Sequence, residues 1–357
     1  MKLKNYIKTR EKIKIGNFVI SKKNKAFIVA EISGNHSGKI TNIFKSIDLI
    51  KKSGANAIKI QSYEPDTITI NSKSKYFYID DKSIWKGRYL YDLYKSAYTP
   101  FSWHKKIFSY ARKKNLICFS APFDLYSVDL LEKCNCPAYK IASPEIQDLE
   151  LIGYAASKKK PIILSTGIAS DKDIKLAINE CKKNNNNQII LLNCISSYPA
   201  KNNELNLKHI NQLKKYSKIV GFSDHSIGSL ATLGSIAMGA KVIEKHYILN
   251  DKIKSEDKSF SMNANDFLDF VNQIRTLEKM LGNEKVDKKK ILKKKLKTIT
   301  RSLFYIKDLK KGDKITRSMI KSIRPGDGLN PQKLKKIIGK KIQKRACQNY
   351  RNQHRFI

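Results

Sequence analysis

The sequence has no long apolar run and no start of the kind that directs secretion. None of its apolar stretches approaches the roughly 18–20 residues that a membrane-spanning helix needs. The basic residues of Met1–Tyr6 are not followed by the apolar segment of a secretion signal. The six cysteines are scattered, without the paired spacing of metal ligands or of a disulfide framework. We therefore expect a cytoplasmic protein with reduced thiols and no membrane partner.

Acidic side chains are also scarce. Asp and Glu number 31 against 71 Lys and Arg, which gives a net charge of +40 at pH 7. Lys, Asn and Ile are in excess over the whole chain, as in the asparagine run at 184–187, and this spread is typical of a genome-wide composition bias. A nucleic-acid interface would instead concentrate its charge on one face, often as Arg beside aromatic residues. We expect no nucleic-acid partner, and a positive field that attracts anionic substrates.

Short apolar, β-branched segments alternate with amphipathic segments of helical length. Each apolar segment is too continuous for a half-exposed strand and is typical of parallel strands covered by helices. Eight βα units in about 250 residues indicate an α/β fold, a (β/α)₈ TIM barrel. The alternative is an open doubly wound sheet, but no Gly-x-Gly-x-x-Gly motif follows the first strand. The predicted strands are Phe27–Glu31, Ala57–Gln61, Leu116–Ser120, Ala138–Ile141, Pro161–Ser165, Gln188–Asn193, Lys218–Ser223 and Lys241–His246.

Three parts follow from this pattern. Residues 1–283 form the barrel with an N-terminal extension at 1–26, residues 284–300 form a Lys-rich linker, and residues 301–357 form a small β-rich domain. One segment inside the barrel departs from the βα rhythm. Ser62–Pro100, which we call the excursion, is aromatic-rich and much longer than an ordinary βα loop. Loops of that length in a compact domain are often functional.

Polar residues occur at the carboxyl end of every predicted strand. In a barrel these ends meet at one mouth, where the chemistry of such enzymes takes place. Lys59 and Lys140 are costly inside strands unless an anion meets them. With the neighbouring hydroxyls and backbone donors they predict a site for phosphate plus carboxylate. The strand-end residues are Glu31, Lys59, Gln61, Ser120, Lys140, Ser143, Ser165, Ser196, Tyr198, Ser223, His225 and His246.

Two of these residues suggest a metal. His225 and His246 lie at the ends of neighbouring predicted strands, so both imidazoles can reach one point in the mouth. Two histidines with open positions suit a divalent ion such as Mn²⁺, Co²⁺ or Zn²⁺. Each histidine alone is more typical of a hydrogen-bonded structural residue.

Six motifs at these strand ends resemble the sialic acid synthase family. Its members condense phosphoenolpyruvate with an N-acetylated amino sugar to give nine-carbon ulosonic acids. The segment Trp85–Tyr94, followed by Thr99–Pro100 and Trp103–His104, resembles the pseudaminic acid synthase branch, and Ser322–Gly326 resembles the antifreeze-like (SAF) domain of the family. The six motifs are Ala30–His36, Lys59–Gln61, Tyr139–Ser143, Ser165–Gly167, Gly221–His225 and Ile243–His246.

The resemblance implies a transferase that joins phosphoenolpyruvate to 2,4-diacetamido-2,4,6-trideoxy-L-altrose, with water consumed and phosphate released. The alternative is the same chemistry on another sugar, giving N-acetylneuraminate or legionaminate. The excursion argues for the first sugar, because it lies near the mouth and would shape sugar selection.

Roles for individual residues come from the same resemblance. Glu31, His225 and His246 would be catalytic, and the two histidines would bind the metal, expected to be Mn²⁺ with Mg²⁺ or Co²⁺ as alternatives. Arg324 would reach from the small domain of one subunit into the barrel of its partner, in a domain-swapped homodimer. The remaining residues would bind phosphoenolpyruvate (Lys59, Lys140, Ser143, Ser165, Ser196 and Ser223) or the sugar (Gln61, Tyr198, Asp257 and Arg324).

Two places depart from the family pattern. Asp257 stands in Lys254–Asp257, where the family often has a turn with glycine or proline, so Glu256 is a second candidate for part of its role. The C-terminal end at Arg345–Arg351 lacks the glycine-led turn and final apolar strand expected of the small domain. We therefore expect a divergent end to that domain.

Overall fold

Short runs rich in Ile, Val and Leu form the strands of this structure, a computed structural model that describes residues 9–81, 83–282, 298–326 and 328–343. The chain divides into two compact units, Met1–Gly282 and Asn283–Ile357. Most of the predicted linker, residues 284–297, and the divergent segment Arg345–Arg351 lie outside the described residues.

The N-terminal extension contains a hairpin that the sequence reading did not predict. Strands β1 (Lys12–Ile15) and β2 (Phe18–Ser21) pair in antiparallel register. Lys and Ile alternate along β1, so its isoleucines share one face and are buried against the barrel core. The glycine of the turn, Gly16, has a φ of +57°, which favours glycine there.

Eight parallel strands of the first unit close into a barrel, which confirms the predicted fold class. Their hydrogen-bonded order follows the chain from the first to the last, and the last pairs with both the first and the seventh. Nearly all of their residues are buried, because helices cover the outer face. The strands are β3 (Phe27–Glu31), β4 (Ala57–Ser62), β5 (Ile117–Pro122), β6 (Tyr139–Ile141), β7 (Ile162–Ser165), β8 (Ile189–Cys194), β9 (Ile219–Asp224) and β10 (Val242–Ile248).

Helices follow the strands and present an apolar face to them. In the first of these helices, Ile43, Ile47 and Ile50 are buried at the spacing of one helical face. The last strand is followed by a two-residue strand, β11 (Met262–Asn263), parallel to β10. The helices of the first unit are α1 (Ile40–Ser53), α2 (Pro65–Ile68), α3 (Leu90–Ala97), α4 (Phe101–Lys113), α5 (Leu125–Lys133), α6 (Leu149–Ser157), α7 (Asp171–Lys183), α8 (His209–Leu213), α9 (Leu230–Ala237) and α10 (Ala264–Leu281).

The excursion contains α2, α3 and a short 3₁₀ turn at Lys75–Phe77. Its end packs closely on the loop after β3. A side chain on Gly34 would stand 2.9 Å from the Cβ of Ala97, so this contact requires glycine. The excursion is therefore folded against the mouth of the barrel.

The second unit has its own small core. Strands β12 (Ser302–Tyr305) and β13 (Ile320–Ile323) are antiparallel, and a short helix, α11 (Leu334–Ile337), follows them. The buried residues of this core are Leu309, Ile315, Ile320, Ile337 and Ile342. Among the helices that the structure describes in either unit, none combines the length and apolarity needed to cross a bilayer.

Candidate functional site

A cavity of about 910 Å³ opens at the carboxyl ends of the barrel strands. Both halves of the sequence contribute to it, from β3 through the loop after β10. Of the thirteen residues to which the family resemblance gives a role, twelve line this cavity: Glu31, Lys59, Gln61, Lys140, Ser143, Ser165, Ser196, Tyr198, Ser223, His225, His246 and Asp257.

Strand register explains why the charged residues meet. Glu31 on β3 is opposite Lys59 on β4 and opposite His246 on β10. Glu244 precedes His246 by two residues, so both side chains point to the same side of β10. Ser223 on β9 is opposite Glu244 in the strand register. Side chains far apart in sequence thus converge inside the mouth.

Two lysines and two carboxylates form a buried ion cluster at the inner end of the cavity. Lys59 Nζ lies 3.0 Å from Glu31 Oε2 and 3.0 Å from Glu244 Oε2. Lys140 Nζ lies 3.5 Å from Glu244 Oε1, which also accepts a 2.9 Å hydrogen bond from the Ser223 hydroxyl. All four charged residues are at most 4% exposed. Glu244 is therefore the shared counter-ion of both lysines.

The two carboxyls of the ion cluster have very different pKa values. Burial raises the pKa of Glu31 to about 7, against the attraction of Lys59. Burial alone would also raise the pKa of Glu244, but Lys140 and Lys59 hold it well below its usual value. Burial lowers the pKa of Lys140. The ion cluster thus contains one firmly ionised carboxylate and one that changes charge near neutral pH.

Hydroxyl groups form a cradle beside Lys140. The Ser143 hydroxyl accepts a 2.9 Å hydrogen bond from the backbone N–H of Ile168. The buried hydroxyls of Ser165 and Ser196 have no oxygen or nitrogen partner among the described residues. A side chain on Gly167 would stand 2.5 Å from Ser196 Oγ and 2.9 Å from Ser143 Oγ, so glycine keeps this space open. Buried hydroxyls without partners, next to lysines, are suited to an anion.

His225 and His246 lie side by side, with ring centroids 5.4 Å apart. His225 Nδ1 is 2.7 Å from the carbonyl oxygen of Ile195, which can only accept, so Nδ1 carries the proton. Nε2 therefore presents a lone pair, 3.4 Å from the Ser223 hydroxyl oxygen. His246 Nδ1 is buried and has no hydrogen-bond partner in the described part of the chain. Burial lowers the pKa of both histidines, to about 4 for His225, so both are neutral donors at pH 7.

These donors fit a divalent metal with open positions. No group of three or more His, Cys, Asp or Glu side chains poised to hold a metal occurs among the described residues. Two neutral imidazoles can supply part of a coordination shell, and the rest would come from water or substrate oxygen. The arrangement suits a catalytic ion rather than a closed structural one.

Tyr198 and Asp257 border the histidine pair. The ring centroid of Tyr198 lies 4.4 Å from that of His225. Asp257 Oδ2 lies 3.8 Å from His246 Nδ1, and burial raises the pKa of Asp257 to about 6. The neighbouring Glu256 forms an ion pair with Arg88 of the excursion. Asp257, rather than Glu256, is therefore the carboxyl that faces the histidines.

Glu244 and Glu145 are two of the cavity-lining carboxyls for which the sequence predicted no role. Glu244 could have been found, because strand alternation places it beside His246. Glu145 follows Ser143 by two residues in a short 3₁₀ helix (Pro144–Gln147), which is too short for periodicity to indicate where its side chain points. Burial raises the pKa of Glu145 to about 7. Arg324 lies in the second unit directly after β13, and its role in a partner's site stays a prediction.

Comparison with known proteins gives two matching families and close relatives. The profile described as the NeuB family matches residues 46–286, and that of the SAF domain matches residues 300–345. Pseudaminic acid synthase of Campylobacter jejuni subsp. jejuni is 42% identical over 334 residues, which are 93% of this chain and 96% of that protein. Pseudaminic acid synthase of Helicobacter pylori is 43% identical over 320 residues, 89% of this chain and 93% of that protein.

A solved structure shares the fold. The N-acetylneuraminic acid (sialic acid) synthetase of Leptospira borgpetersenii serovar Hardjo-bovis, in complex with citrate, superposes with a TM-score of 0.71 at 30% identity. The match covers 81% of this chain and 96% of that one.

Proposed function

Because this chain belongs to the NeuB family, we propose that it condenses phosphoenolpyruvate with 2,4-diacetamido-2,4,6-trideoxy-L-altrose and water to give pseudaminic acid and phosphate. Its nearly full-length similarity to pseudaminic acid synthases of two organisms supports this choice of sugar. The observation that carries the proposal is the pairing of an anion cradle with two neutral imidazoles inside one cavity.

Lys59 and Lys140, with the hydroxyls of Ser143, Ser165, Ser196 and Ser223, would hold the phosphate and carboxylate of phosphoenolpyruvate. The lysines already stand in pairs with Glu244, so their positions are fixed before the substrate arrives. Charge-assisted hydrogen bonds from both lysines then replace part of their pairing with the carboxylates. The unpartnered hydroxyls of Ser165 and Ser196 gain partners at the same time.

The sugar would lie beside His225 and His246, bordered by Gln61, Tyr198 and Asp257. A divalent metal held by the two histidines, which we propose is Mn²⁺, would polarise the aldehyde of the open-chain sugar. The cavity holds the enol carbon of phosphoenolpyruvate and this aldehyde in one enclosed space. Proximity of that kind replaces an encounter in solution.

The reaction needs protons to move at three points. The methylene carbon of phosphoenolpyruvate attacks the aldehyde carbon, and the aldehyde oxygen gains a proton. Water then adds to the former enol carbon and loses a proton. Finally the bond from that carbon to the phosphate oxygen breaks, phosphate leaves, and the hydroxyl proton is lost as the ketone forms. Glu31 and Glu145, whose pKa values are each raised to about 7, are suited to give and take these protons at neutral pH.

The experiment that tests the proposal is phosphate release from phosphoenolpyruvate with Mn²⁺, comparing the diacetamido altrose with N-acetylmannosamine. We expect release with the altrose sugar and little with N-acetylmannosamine. Release with N-acetylmannosamine alone would support the proposed reaction but contradict the proposed sugar substrate. A folded sample that releases phosphate with neither sugar would contradict the proposed activity.

A further inference from the structure

The excursion is tied to the loop after β10 through one residue. Three of its side chains, from three separate places along the excursion, contact Glu256. The indole N–H of Trp85 donates to the Glu256 carbonyl oxygen at 3.2 Å, the Ser96 hydroxyl donates to Oε1 at 2.7 Å, and Arg88 forms an ion pair with Oε2. We call this set of four residues the clasp.

Arg88 is fixed before it meets Glu256. Its Nη2 donates to the Asp92 carbonyl oxygen at 3.2 Å and to Ser96 Oγ at 3.0 Å, both within the excursion. The planar guanidinium therefore loses little further freedom when Nη1 pairs with the carboxylate. Arg88 and Glu256 side chains are 32% and 25% exposed, so the ion pair is only partly screened by water.

The clasp joins two walls of the cavity. On one side it holds the Trp85 ring against Tyr198, with centroids 5.5 Å apart, and Tyr198 packs on His225. On the other side, Glu256 is followed in the chain by Asp257, whose carboxyl faces His246. A shift of Glu256 would therefore move both Trp85 and Asp257 relative to the histidines.

The wall that the clasp holds is mostly apolar. Apart from Asp81 and Ser83, the described residues between 79 and 94 that line the cavity are aliphatic or aromatic. These are Ile79, Ile84, Trp85, Leu90, Leu93 and Tyr94. Such a surface favours methyl groups over hydroxyl groups. Phosphoenolpyruvate has no methyl group, and its proposed partners are the lysines and hydroxyls of the ion cluster and cradle.

We propose that Arg88 and Glu256 are positioning residues that set the affinity for the sugar, by holding the apolar wall and Asp257 in place around a deoxy, N-acylated acceptor. The proposal rests on the proposed function for the identity of that acceptor. It assigns no contact between Arg88 and substrate, since Arg88 is not among the described residues that line the cavity.

The kinetic test compares Glu256→Ala, Arg88→Ala, the double variant and the charge exchange Arg88→Glu with Glu256→Arg. We expect each single variant to raise the KM for the sugar about tenfold, within the range for residues that share one network. The KM for phosphoenolpyruvate should change less than about twofold. The double variant should be no worse than either single one, and the charge exchange should recover part of the loss.

Lys73→Ala is the matched control. Lys73 pairs with Asp92 at 2.6 Å inside the excursion, but it does not contact Glu256. Its loss should leave both KM values unchanged. A large effect of Glu256→Ala without an effect of Arg88→Ala would show direct contact with the sugar and overturn the positioning role. Equal rises in both KM values would show a general structural role and overturn it as well.

A second readout needs no turnover. The chain has two tryptophans, and Trp103→Phe leaves Trp85 as the single indole. In that background, Glu256→Ala and Arg88→Ala should increase quenching of Trp85 fluorescence by acrylamide, because the clasp no longer holds the ring against Tyr198. Unchanged quenching would overturn the clasp itself. If the parent enzyme releases no phosphate but quenching increases in these two variants, the result contradicts the proposed function and supports the clasp.

Discussion

Glu31 forms an ion pair with Lys59 and lines the same cavity as the proposed phosphate ligands, so its charge affects how Lys59 can bind phosphate. Its pKa is raised to about 7, so it is mostly neutral below pH 7 and ionised above. The neutral form leaves Lys59 with Glu244 alone, while the ionised form competes with an incoming anion for Lys59. Binding of phosphoenolpyruvate should therefore be accompanied by uptake of a proton.

We predict that the Kd of phosphoenolpyruvate rises as the pH increases from about 7 to 9. The substrate's own phosphate is fully ionised in this range, since its second pKa is about 6. Calorimetric titration in buffers of different ionisation enthalpy measures the protons taken up. In Glu31→Gln the Kd should depend less on pH in this range and fewer protons should be taken up. A wild-type protein that takes up no proton at pH 8 would contradict this assignment.

At the scale of elements, β9 and β10 are joined outside the cavity by a buried ion pair. Lys245 Nζ lies 3.2 Å from Asp224 Oδ2, and the two residues are 1% and 0% exposed. Asp224 also accepts hydrogen bonds from the backbone N–H and hydroxyl of Ser226 and from the hydroxyl of Thr232. His225 and His246 are the adjacent residues in sequence. This pair therefore fixes the two strand ends that carry the histidines.

We predict that Lys245→Met lowers the free energy of unfolding by about 3–5 kcal/mol, the usual cost of leaving a buried charge without its partner. Asp224→Asn in the same chain removes the remaining charge and should restore part of the loss. Urea unfolding followed by circular dichroism measures both variants. The explanation fails if the double variant is less stable than the single one.

The sequence predicted most strands to within a residue or two, because their apolar runs end at polar residues that the barrel mouth requires. The hairpin of β1 and β2 was not predicted, although Lys and Ile alternate along β1, because four residues are too few for that alternation to indicate a strand. Contacts such as Trp85 with Glu256 could not be predicted. The two residues are 171 positions apart, and neither strand nor helix periodicity relates them.

At the scale of the molecule, the net charge of +40 should speed the arrival of an anionic substrate. We predict that the association rate constant of phosphoenolpyruvate falls at least about tenfold when ionic strength rises from about 0.01 M to about 0.15 M, as the Debye length shortens from about 30 Å to about 8 Å. Stopped-flow fluorescence measures the rate. A salt effect confined to the dissociation rate would argue against long-range attraction.

The N-terminal hairpin packs against one end of the barrel and so affects how substrates reach the cavity. The ring of Phe18 packs on Phe27 at 5.2 Å, Gly16 lies against Ile117, and the Thr9 hydroxyl accepts from the N–H of Lys218. These contacts are at the amino ends of the barrel strands, so the hairpin covers the end opposite the mouth. The residues of the ion cluster are at most 4% exposed, whereas the Glu256 side chain is 25% exposed and is therefore closer to solvent. We therefore expect reactants and products to share one opening, so that phosphoenolpyruvate binds before the sugar and an excess of sugar slows turnover by covering the deeper part of the cavity.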